Sequence, residues 1–260
     1  MLTVYVWILL TGFAVSFIST LFGLGGGLVI VPVLSLILPY SHIEAIATSL
    51  VTIIMVAAYN TYSFHRRGLV RWPVVPWIAL SSSFIAFLAG GAATVLPEKL
   101  LIVFYIAFLL ALSIRTFSIR REESPRPSHP RSRLLSTGIG GLSGFIAGLT
   151  GVGGGGITTS LMLVTKLTTN VQATPTSNAI MIFTCLFASI PFAMAEGSGE
   201  GFPVLGYVHL DTAFLLFTAS FIITQLGVSI NQRFPLFWRK TILGLLMLSI
   251  CVRLTFLLLS

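Results

Sequence analysis

The chain has 260 residues, of which 55% are hydrophobic and only 8% are charged, and its mean hydropathy is +0.99. Soluble domains carry about 25% charged residues, so the composition excludes an ordinary soluble domain and indicates a membrane protein. The formal charge of +8 does not indicate nucleic-acid binding, because the basic residues lie in short loops between apolar runs, where they orient membrane helices.

Ten apolar segments follow one another along the chain, each a candidate for a membrane helix of roughly 20 residues. In order they occupy residues 3–22, 25–38, 44–64, 73–95, 99–119, 134–150, 153–167, 171–195, 209–230 and 238–259. The first lacks a basic region at its start, so we interpret it as a span and not as a cleaved signal. The second and the seventh are shorter than an upright span, and each begins within a glycine-rich run.

That glycine-rich run occurs twice and marks an internal repeat. Phe22-Gly23-Leu24-Gly25-Gly26-Gly27-Leu28 recurs as Thr150-Gly151-Val152-Gly153-Gly154-Gly155-Gly156, at an offset of 128 in the numbering. The same offset, called the first offset below, pairs Thr48-Ser49 with Thr176-Ser177 further along. A repeat of this length predicts two related halves.

The later part of each half also matches, after an insertion. Gly68-Leu69-Val70 pairs with Gly206-Tyr207-Val208 at an offset of 138, called the second offset below. We therefore predict a first repeat at residues 1–119 and a second repeat at residues 134–260. The polar, proline-rich stretch at residues 120–133 is predicted to be a cytoplasmic linker between them.

The basic residues between the segments predict the orientation, because short cytoplasmic loops carry an excess of Lys and Arg. They form three clusters: Arg66, Arg67 and Arg71; six arginines from Arg115 to Arg133; and Arg233, Arg239 and Lys240. With all three clusters in the cytoplasm, the third segment runs inwards and its repeat partner, the eighth, runs outwards. The two halves are therefore predicted to be inverted relative to each other, and only Lys99 and Arg253 oppose this assignment.

The predicted fold is an all-α polytopic membrane protein with two inverted-topology repeats. At each glycine run the chain forms either a helix break between two segments or a re-entrant hairpin, and the sequence is compatible with both. Inverted repeats with interrupted helices are typical of secondary transporters, which bind substrate near the midplane of the membrane. Lipid cannot satisfy free backbone groups, so a glycine-rich break needs protein or a water-filled cavity around it. The two breaks therefore predict a binding site.

The chemistry of this predicted site favours an anion. A glycine-rich turn that opens a helix gathers N–H groups at the positive end of the helix dipole. The predicted substrate-binding residues are these glycines and the hydroxyl and amide residues that follow: Gly25, Gly26, Gly27, Thr48, Ser49, Gly153, Gly154, Gly155, Thr176, Ser177 and Asn178. The alternatives are that the glycines allow close helix packing, and that the hydroxyls bond back to a carbonyl one turn earlier.

Three further charged residues are candidates for a role in anion transport. Arg115 and Arg253 lie near the far ends of the fifth and tenth segments, where they either attract anions towards one mouth of the pathway or snorkel to the interface. Glu44 is a candidate carrier of a coupling proton, with a solvated carboxylate at a segment end as the alternative. Its repeat partner, Gln172, cannot titrate.

No arrangement typical of an enzyme, a cofactor site or a metal site is present. The run from Gly151 to Gly156 fits GxGxxG, but no soluble βαβ unit surrounds it and no GK[ST] follows, so we reject a nucleotide site. Cys185 and Cys251 lie within apolar runs and lack metal-ligand spacing. We expect no catalytic residues, no metal and no cofactor.

At these motifs the chain resembles the TauE/SafE family of membrane permeases, also called TSUP or sulfite exporters. The resemblance rests on the run from Gly23 to Pro32, on Ala47-Thr48-Ser49, on their second copies, and on Gly68-Leu69-Val70-Arg71-Trp72. It implies a multi-pass permease of the inner cell membrane that moves small sulfur-containing anions such as sulfite or organosulfonates. It also implies that the glycine runs and the following Thr-Ser pairs form the anion site.

We therefore expect a secondary transporter, not an enzyme, that exposes a central anion site to the two sides in turn. An anion channel on the same scaffold is the alternative, and a membrane-embedded assembly or sensor subunit is a third possibility. The expected partners are a small anion and the lipid bilayer. A coupling proton or ion and a second copy of the chain are further candidate partners, and no nucleic acid is expected.

Overall fold

A computed structural model of the chain describes residues 12–13, 27–38, 40–118, 133–197, 204–231 and 236–259. Within its helices, side chains are described except at 115–118, 222–231, 236–240, 242–243 and 259. Of the residues predicted for the site, Gly25 and Gly26 therefore lie outside the described residues, as does the side chain of Arg115. Most of the predicted linker and of the first apolar segment also lies outside them.

The described residues form nine α-helices, one 3₁₀ turn and one two-stranded hairpin. The helices are α1 (Gly27–Leu36), α2 (His42–Arg66), α3 (Val75–Val95, after the 3₁₀ turn Trp72–Val74), α4 (Glu98–Ser118), α5 (Arg133–Thr150), α6 (Gly155–Val164), α7 (Asn170–Met194), α8 (Leu210–Asn231) and α9 (Leu236–Leu259). The strands β1 (Val204–Leu205) and β2 (Val208–His209) pair antiparallel before α8. Each helix overlaps one of the predicted segments two to ten.

The helix bounds recur at the offsets found in the sequence. The first offset takes both ends of α1 to the ends of α6, and both ends of α2 to the ends of α7. The second offset takes the start of α4 to the start of α9. The helices α1, α2 and α4 therefore begin at residues equivalent to the first residues of α6, α7 and α9.

Local capping explains why both long helices begin where they do. Ser41 caps α2: its hydroxyl accepts a hydrogen bond from the Glu44 N–H, while Glu44 Oε2 accepts one from the Ser41 N–H at 2.9 Å. This is a capping box, which satisfies two free backbone donors at once. At the equivalent position Thr169 caps α7 and accepts from the Gln172 N–H.

The most extensive helix packing joins α3 to α5 and to α7, and α2 also packs along α7. Glycines allow the close approach of α5 to α3. A Cβ added at Gly144 would lie 2.9 Å from Ser82 Cα, and one added at Gly148 would lie 2.7 Å from Ala86 O. Small residues at helix contacts of this kind are typical of membrane bundles.

The same packing is repeated with the halves exchanged. Gly140 on α5 contacts Ile78 and Ser81 on α3. The first offset pairs Gly140 with Gly12, and a Cβ added at Gly12 would lie 3.0 Å from Ala219 Cβ on α8. Since the second offset pairs Ser81 with Ala219, each glycine packs on the equivalent helix of the other half.

The dimensions and the surface of the helices are those of a membrane protein. Among the described residues, His42–Arg66, Trp72–Val95 and Asn170–Met194 are long and apolar enough to cross a membrane. Large apolar side chains such as Leu80, Phe84 and Phe256 are exposed, and lipid is the solvent that suits such a surface. The ten-residue helices α1 and α6 are about 15 Å long, which is half of the hydrocarbon thickness of a bilayer.

Candidate functional site

The second glycine run separates α5 from α6 and adopts a backbone that favours glycine. Gly151, Gly153 and Gly154 have φ angles of 70°, 76° and 70°, in the left-handed region that L side chains rarely adopt. Gly154 is the N-cap of α6, and no side chain caps that end of the helix. The run therefore presents backbone groups, not side chains, at the start of a short apolar helix.

The first glycine run meets the second. Gly27, the described glycine of the first run, begins α1, and a Cβ added to it would lie 2.8 Å from Val152 Cα and 2.9 Å from Val152 O. The first residue of α1 thus contacts the backbone just before α6. The structure places the start of α1 against the glycine run that leads into α6, which belongs to the other half of the chain.

The glycines of the second run are also closely packed. A Cβ at Gly151 would lie 2.8 Å from Ile46 Cα on α2, and one at Gly153 would lie 3.0 Å from Cys185 Sγ on α7. Gly155 lies against the thioether of Met181. The packing alternative raised by the sequence thus describes part of what these glycines do.

The predicted serines hold the carbonyl groups of the second run. Ser49 Oγ on α2 donates to Gly151 O at 2.9 Å, and Ser177 Oγ on α7 donates to Gly155 O at 3.0 Å. Both serines are buried. Their hydroxyls therefore tie the glycine run to the two long helices, which differs from the bond to a carbonyl one turn earlier on the same helix.

The predicted threonines form two equivalent hydrogen bonds between the halves. Thr48 Oγ1 on α2 accepts from the backbone N–H of His209 at 3.1 Å. Thr176 Oγ1 on α7 accepts from the backbone N–H of Arg71 at 3.0 Å. The first offset pairs the two threonines and the second offset pairs Arg71 with His209, so the same bond is made twice with the halves exchanged.

We call Glu44, Thr48 and His209 the histidine junction. His209 Nε2 lies 3.5 Å from Glu44 Oε1, and both side chains are mostly enclosed, at 18% and 11% exposure. The other carboxylate oxygen, Oε2, accepts hydrogen bonds from the N–H and the hydroxyl of Ser41. The Tyr40 ring packs against the imidazole in a tilted, edge-type contact, with 4.6 Å between the ring centroids. This junction places a carboxylate beside an imidazole.

We call Gln172, Thr176 and Arg71 the arginine junction. Arg71 Nη1 donates to Leu167 O at 2.6 Å, so the guanidinium is anchored to the loop between α6 and α7. Gln172 occupies the position that Glu44 occupies in the other junction. The arginine junction therefore makes the same backbone contact without a titratable pair.

The remaining predicted residues have different surroundings. Asn178 is buried, and its Nδ2 donates to Thr174 O one turn earlier on α7 at 2.9 Å. Asn60 Nδ2 lies 3.4 Å from Asn178 Oδ1 and connects α2 to α7. Arg253 is exposed on α9, and no contact of its side chain ties it to the glycine runs in the part of the chain that the structure describes.

His209 is a functional candidate that the sequence reasoning did not single out. The signal was present. The pairing of Gly68 with Gly206 continues to the end of the turn and aligns His209 with Arg71, and both glycines have positive φ. As for metals, the described residues contain no group of three or more His, Cys, Asp or Glu side chains that could hold an ion.

Comparisons with known proteins give a family match and several similar sequences. A family model described as sulfite exporter TauE/SafE matches residues 8–254. A probable membrane transporter protein of Haemophilus influenzae is 28% identical over 97% of this chain and 98% of its own length. One of Methanocaldococcus jannaschii is 23% identical over 87% of this chain and 86% of its own length. No solved structure gives a significant match.

Proposed function

Because the chain belongs to the sulfite exporter TauE/SafE family, we propose that it is a secondary transporter of small sulfur-containing anions such as sulfite or organosulfonates. Its curated relatives are described as probable membrane transporter proteins. We place it as a multi-pass protein of the inner cell membrane, with the basic loops in the cytoplasm. The anion site, the topology and the transport cycle assigned below are part of this proposal.

The observation that carries the proposal is the contact between Gly27 and Val152. It brings the starts of α1 and α6 together. Each helix start carries a partial positive charge of about half an elementary charge, from N–H groups without an intrahelical partner. Two such starts at one place, surrounded by apolar helices, make a favourable position for an anion.

The proposed topology is a pair of inverted repeats, with the break in each half formed by its glycine run. In this arrangement α1 and α6 start near the midplane and run to opposite surfaces. Their length of about 15 Å suits half of a bilayer core. The reciprocal bonds from His209 to Thr48 and from Arg71 to Thr176 support an approximate two-fold axis in the membrane plane.

The proposed cycle opens the anion site to one side at a time. In the inverted topology the N-terminal ends of α2 and α7 lie on opposite sides of the membrane, so the histidine junction and the arginine junction do as well. Each junction joins a helix of one half to a loop of the other. Separation of one junction while the other holds would admit an anion from that side only.

The direct test is binding followed by flux. The purified protein is heated with sulfite, thiosulfate, sulfoacetate, isethionate or sulfate, and we expect thermal stabilisation by at least one sulfonate or sulfur oxyanion. Flux of the stabilising anion is then measured in proteoliposomes, where we expect saturable exchange. Large currents without saturable exchange would identify a channel instead. The proposal would be overturned if none of these anions bound to the protein and none was transported.

A pair of glycine variants tests the site. Gly154→Leu fills the start of α6 at a position with positive φ, so we expect flux to be abolished. Gly138→Leu is the matched control on α5, because a Cβ added there meets nothing within 4 Å. Ser177→Ala removes one hydroxyl beside Gly155 and gives a milder second variant, for which we expect weaker anion affinity. Normal affinity and flux in Gly154→Leu and Ser177→Ala would contradict the site assignment.

A further inference from the structure

We propose that Glu44 and His209 bind the proton that is transported together with the anion. This inference rests on the proposed transporter function and adds its coupling ion. It names a second binding site, separate from the glycine runs, in the histidine junction. The cargo of a cycle would then be one anion and one proton.

The geometry of the pair suits a single shared proton. Glu44 Oε1 and His209 Nε2 face each other at 3.5 Å. The Nε2 atom is buried and makes no hydrogen bond within the described residues. A proton that arrives from water on this side and binds at Nε2 lies beside a carboxylate, which stabilises the imidazolium. Histidine is the side chain that changes charge most readily near neutral pH.

Other titratable and charged groups lie near this end of the described structure, and several of them have contacts of their own. Those near this end of the described structure are Tyr40, His42, Glu98, Lys99, Tyr105, Tyr207 and Asp211. Glu98 accepts from the backbone N–H of His42, and Asp211 Oδ1 accepts from the Thr212 N–H at 2.7 Å. Tyr40 shares a hydrogen bond of 2.6 Å with the Thr212 hydroxyl. The His42 imidazole is buried against the Tyr105 ring, with 5.4 Å between centroids, and neither of its ring nitrogens makes a hydrogen bond within the described residues.

A short chain of contacts connects the pair to the anion site. The backbone N–H of His209 donates to Thr48 Oγ1. The next residue on α2 is Ser49, whose hydroxyl donates to Gly151 O in the glycine run. Protonation of His209 changes the charge within β2, and a displacement of β2 is passed to α2 through Thr48. The proton and the anion therefore act on the same element.

The arginine junction has no titratable pair at the equivalent positions. Gln172 does not titrate, and Arg71 stays charged at any physiological pH. The hydrogen bond from the backbone N–H to the threonine is the same in both junctions. That bond therefore does not require an acid and an imidazole. The titratable pair therefore serves another purpose in the one junction that has it.

A bound proton would compensate the charge of a transported anion. A membrane potential opposes uptake of an anion into a cell that is negative inside by about 2.3 kcal/mol per charge per 100 mV. A proton bound with a monovalent anion makes the loaded transporter move no net charge. The pair thus fits transport of an anion against the membrane potential, driven by a proton gradient.

The test separates anion exchange from proton-driven accumulation. Proteoliposomes contain a pH-sensitive dye, and the probes are ³⁵S-labelled isethionate, thiosulfate and sulfoacetate, which stay ionised near neutral pH. For the wild type we expect an acid exterior to drive accumulation of the anion, with acidification of the lumen. In Glu44→Gln and His209→Gln we expect accumulation to fall about tenfold or more, in the range of coupling between sites, while anion exchange continues.

The matched control is Glu98→Gln, which removes a carboxylate at the same end and keeps an oxygen that can accept from the His42 N–H. We expect it to accumulate anion like the wild type. Anion exchange without proton movement in the wild type, or full proton-driven accumulation in both Glu44→Gln and His209→Gln, would overturn this inference and leave the transporter proposal intact. Absence of any exchange in the wild type would instead count against the transporter proposal.

Discussion

The histidine junction and the arginine junction contain the same hydrogen bond between the halves, with different side chains around it. In both, a threonine in the second turn of a long helix accepts from a backbone N–H in the other half. In both, the preceding N-cap is a hydroxyl residue, Ser41 or Thr169. The residues that supply the N–H groups are His209 and Arg71, and they share no chemistry beyond a basic character.

The difference in side chains shows which parts of each junction the shared hydrogen bond requires. Residues 71 and 209 have a backbone N–H whatever side chain they carry. The hydrogen bond therefore needs only the threonine and the position of the loop. The side chains at 71 and 209, and the N3 residues Glu44 and Gln172, are not constrained by the shared bond. The two halves could therefore acquire different functions at these positions while their scaffold stayed alike.

The largest effect that separates the halves is expected at the paired glycines Gly27 and Gly155. Gly27→Ala places a Cβ 2.8 Å from the Val152 backbone and 2.5 Å from Ile53 Cδ1, so we expect a loss of about 2–3 kcal/mol, the upper range for overpacking. Gly155→Ala meets the flexible side chain of Met181, and we expect a loss of about 1 kcal/mol or less. Thermal unfolding in detergent measures both, and equal losses would contradict the difference.

An intermediate effect, equal in the two halves, is expected from removal of the threonine acceptors. Thr48→Val and Thr176→Val each leave an enclosed backbone N–H without its partner, which costs about 1–2 kcal/mol. Thr48→Ser and Thr176→Ser keep the hydroxyl and serve as controls that stay near the wild-type melting temperature. If only one valine variant were destabilised, the two junctions would not be structurally equivalent.

The smallest effect is expected at the serines. Ser49→Ala and Ser177→Ala each remove one hydrogen bond to a carbonyl of the second glycine run, worth about 0.5–1.5 kcal/mol. Ser49 bonds across the halves and Ser177 within one half. Hydrogen exchange is the sharper measurement: Ser49→Ala should raise exchange around Gly151, and Ser177→Ala should raise it around Gly155. Exchange that rises at the same amides in both variants would contradict this assignment.

Much of the fold could be predicted from the sequence because its signals are local. Apolar runs of sufficient length predicted the helices, and the glycine runs predicted where α1 and α6 begin. The first offset anticipated equal bounds for α2 and α7. The caps could also have been read in advance, since Ser41 with Glu44 and Thr169 with Gln172 match a capping box.

The site was predicted less completely, because its contacts join distant residues. The sequence identified Thr48, Ser49, Thr176 and Ser177 as hydroxyls near the glycine runs, and the predicted role as anion donors stays a prediction. Nothing in the sequence indicated that the threonines would accept from loops of the opposite half. The offset aligned His209 with Arg71, but nothing in the sequence indicated that His209 would face Glu44.

By itself, the sequence indicated a membrane protein, predicted where its helices lie and predicted that its halves are related. Composition, helix length and capping act between near neighbours in the chain, so they can be read without knowing the fold. The tertiary structure alone decided that Gly27 lies against Val152 and that His209 faces Glu44. Each of those pairs joins the first half of the chain to the second, so the contact depends on how helices of the two halves pack, as α2 does on α7 and α8.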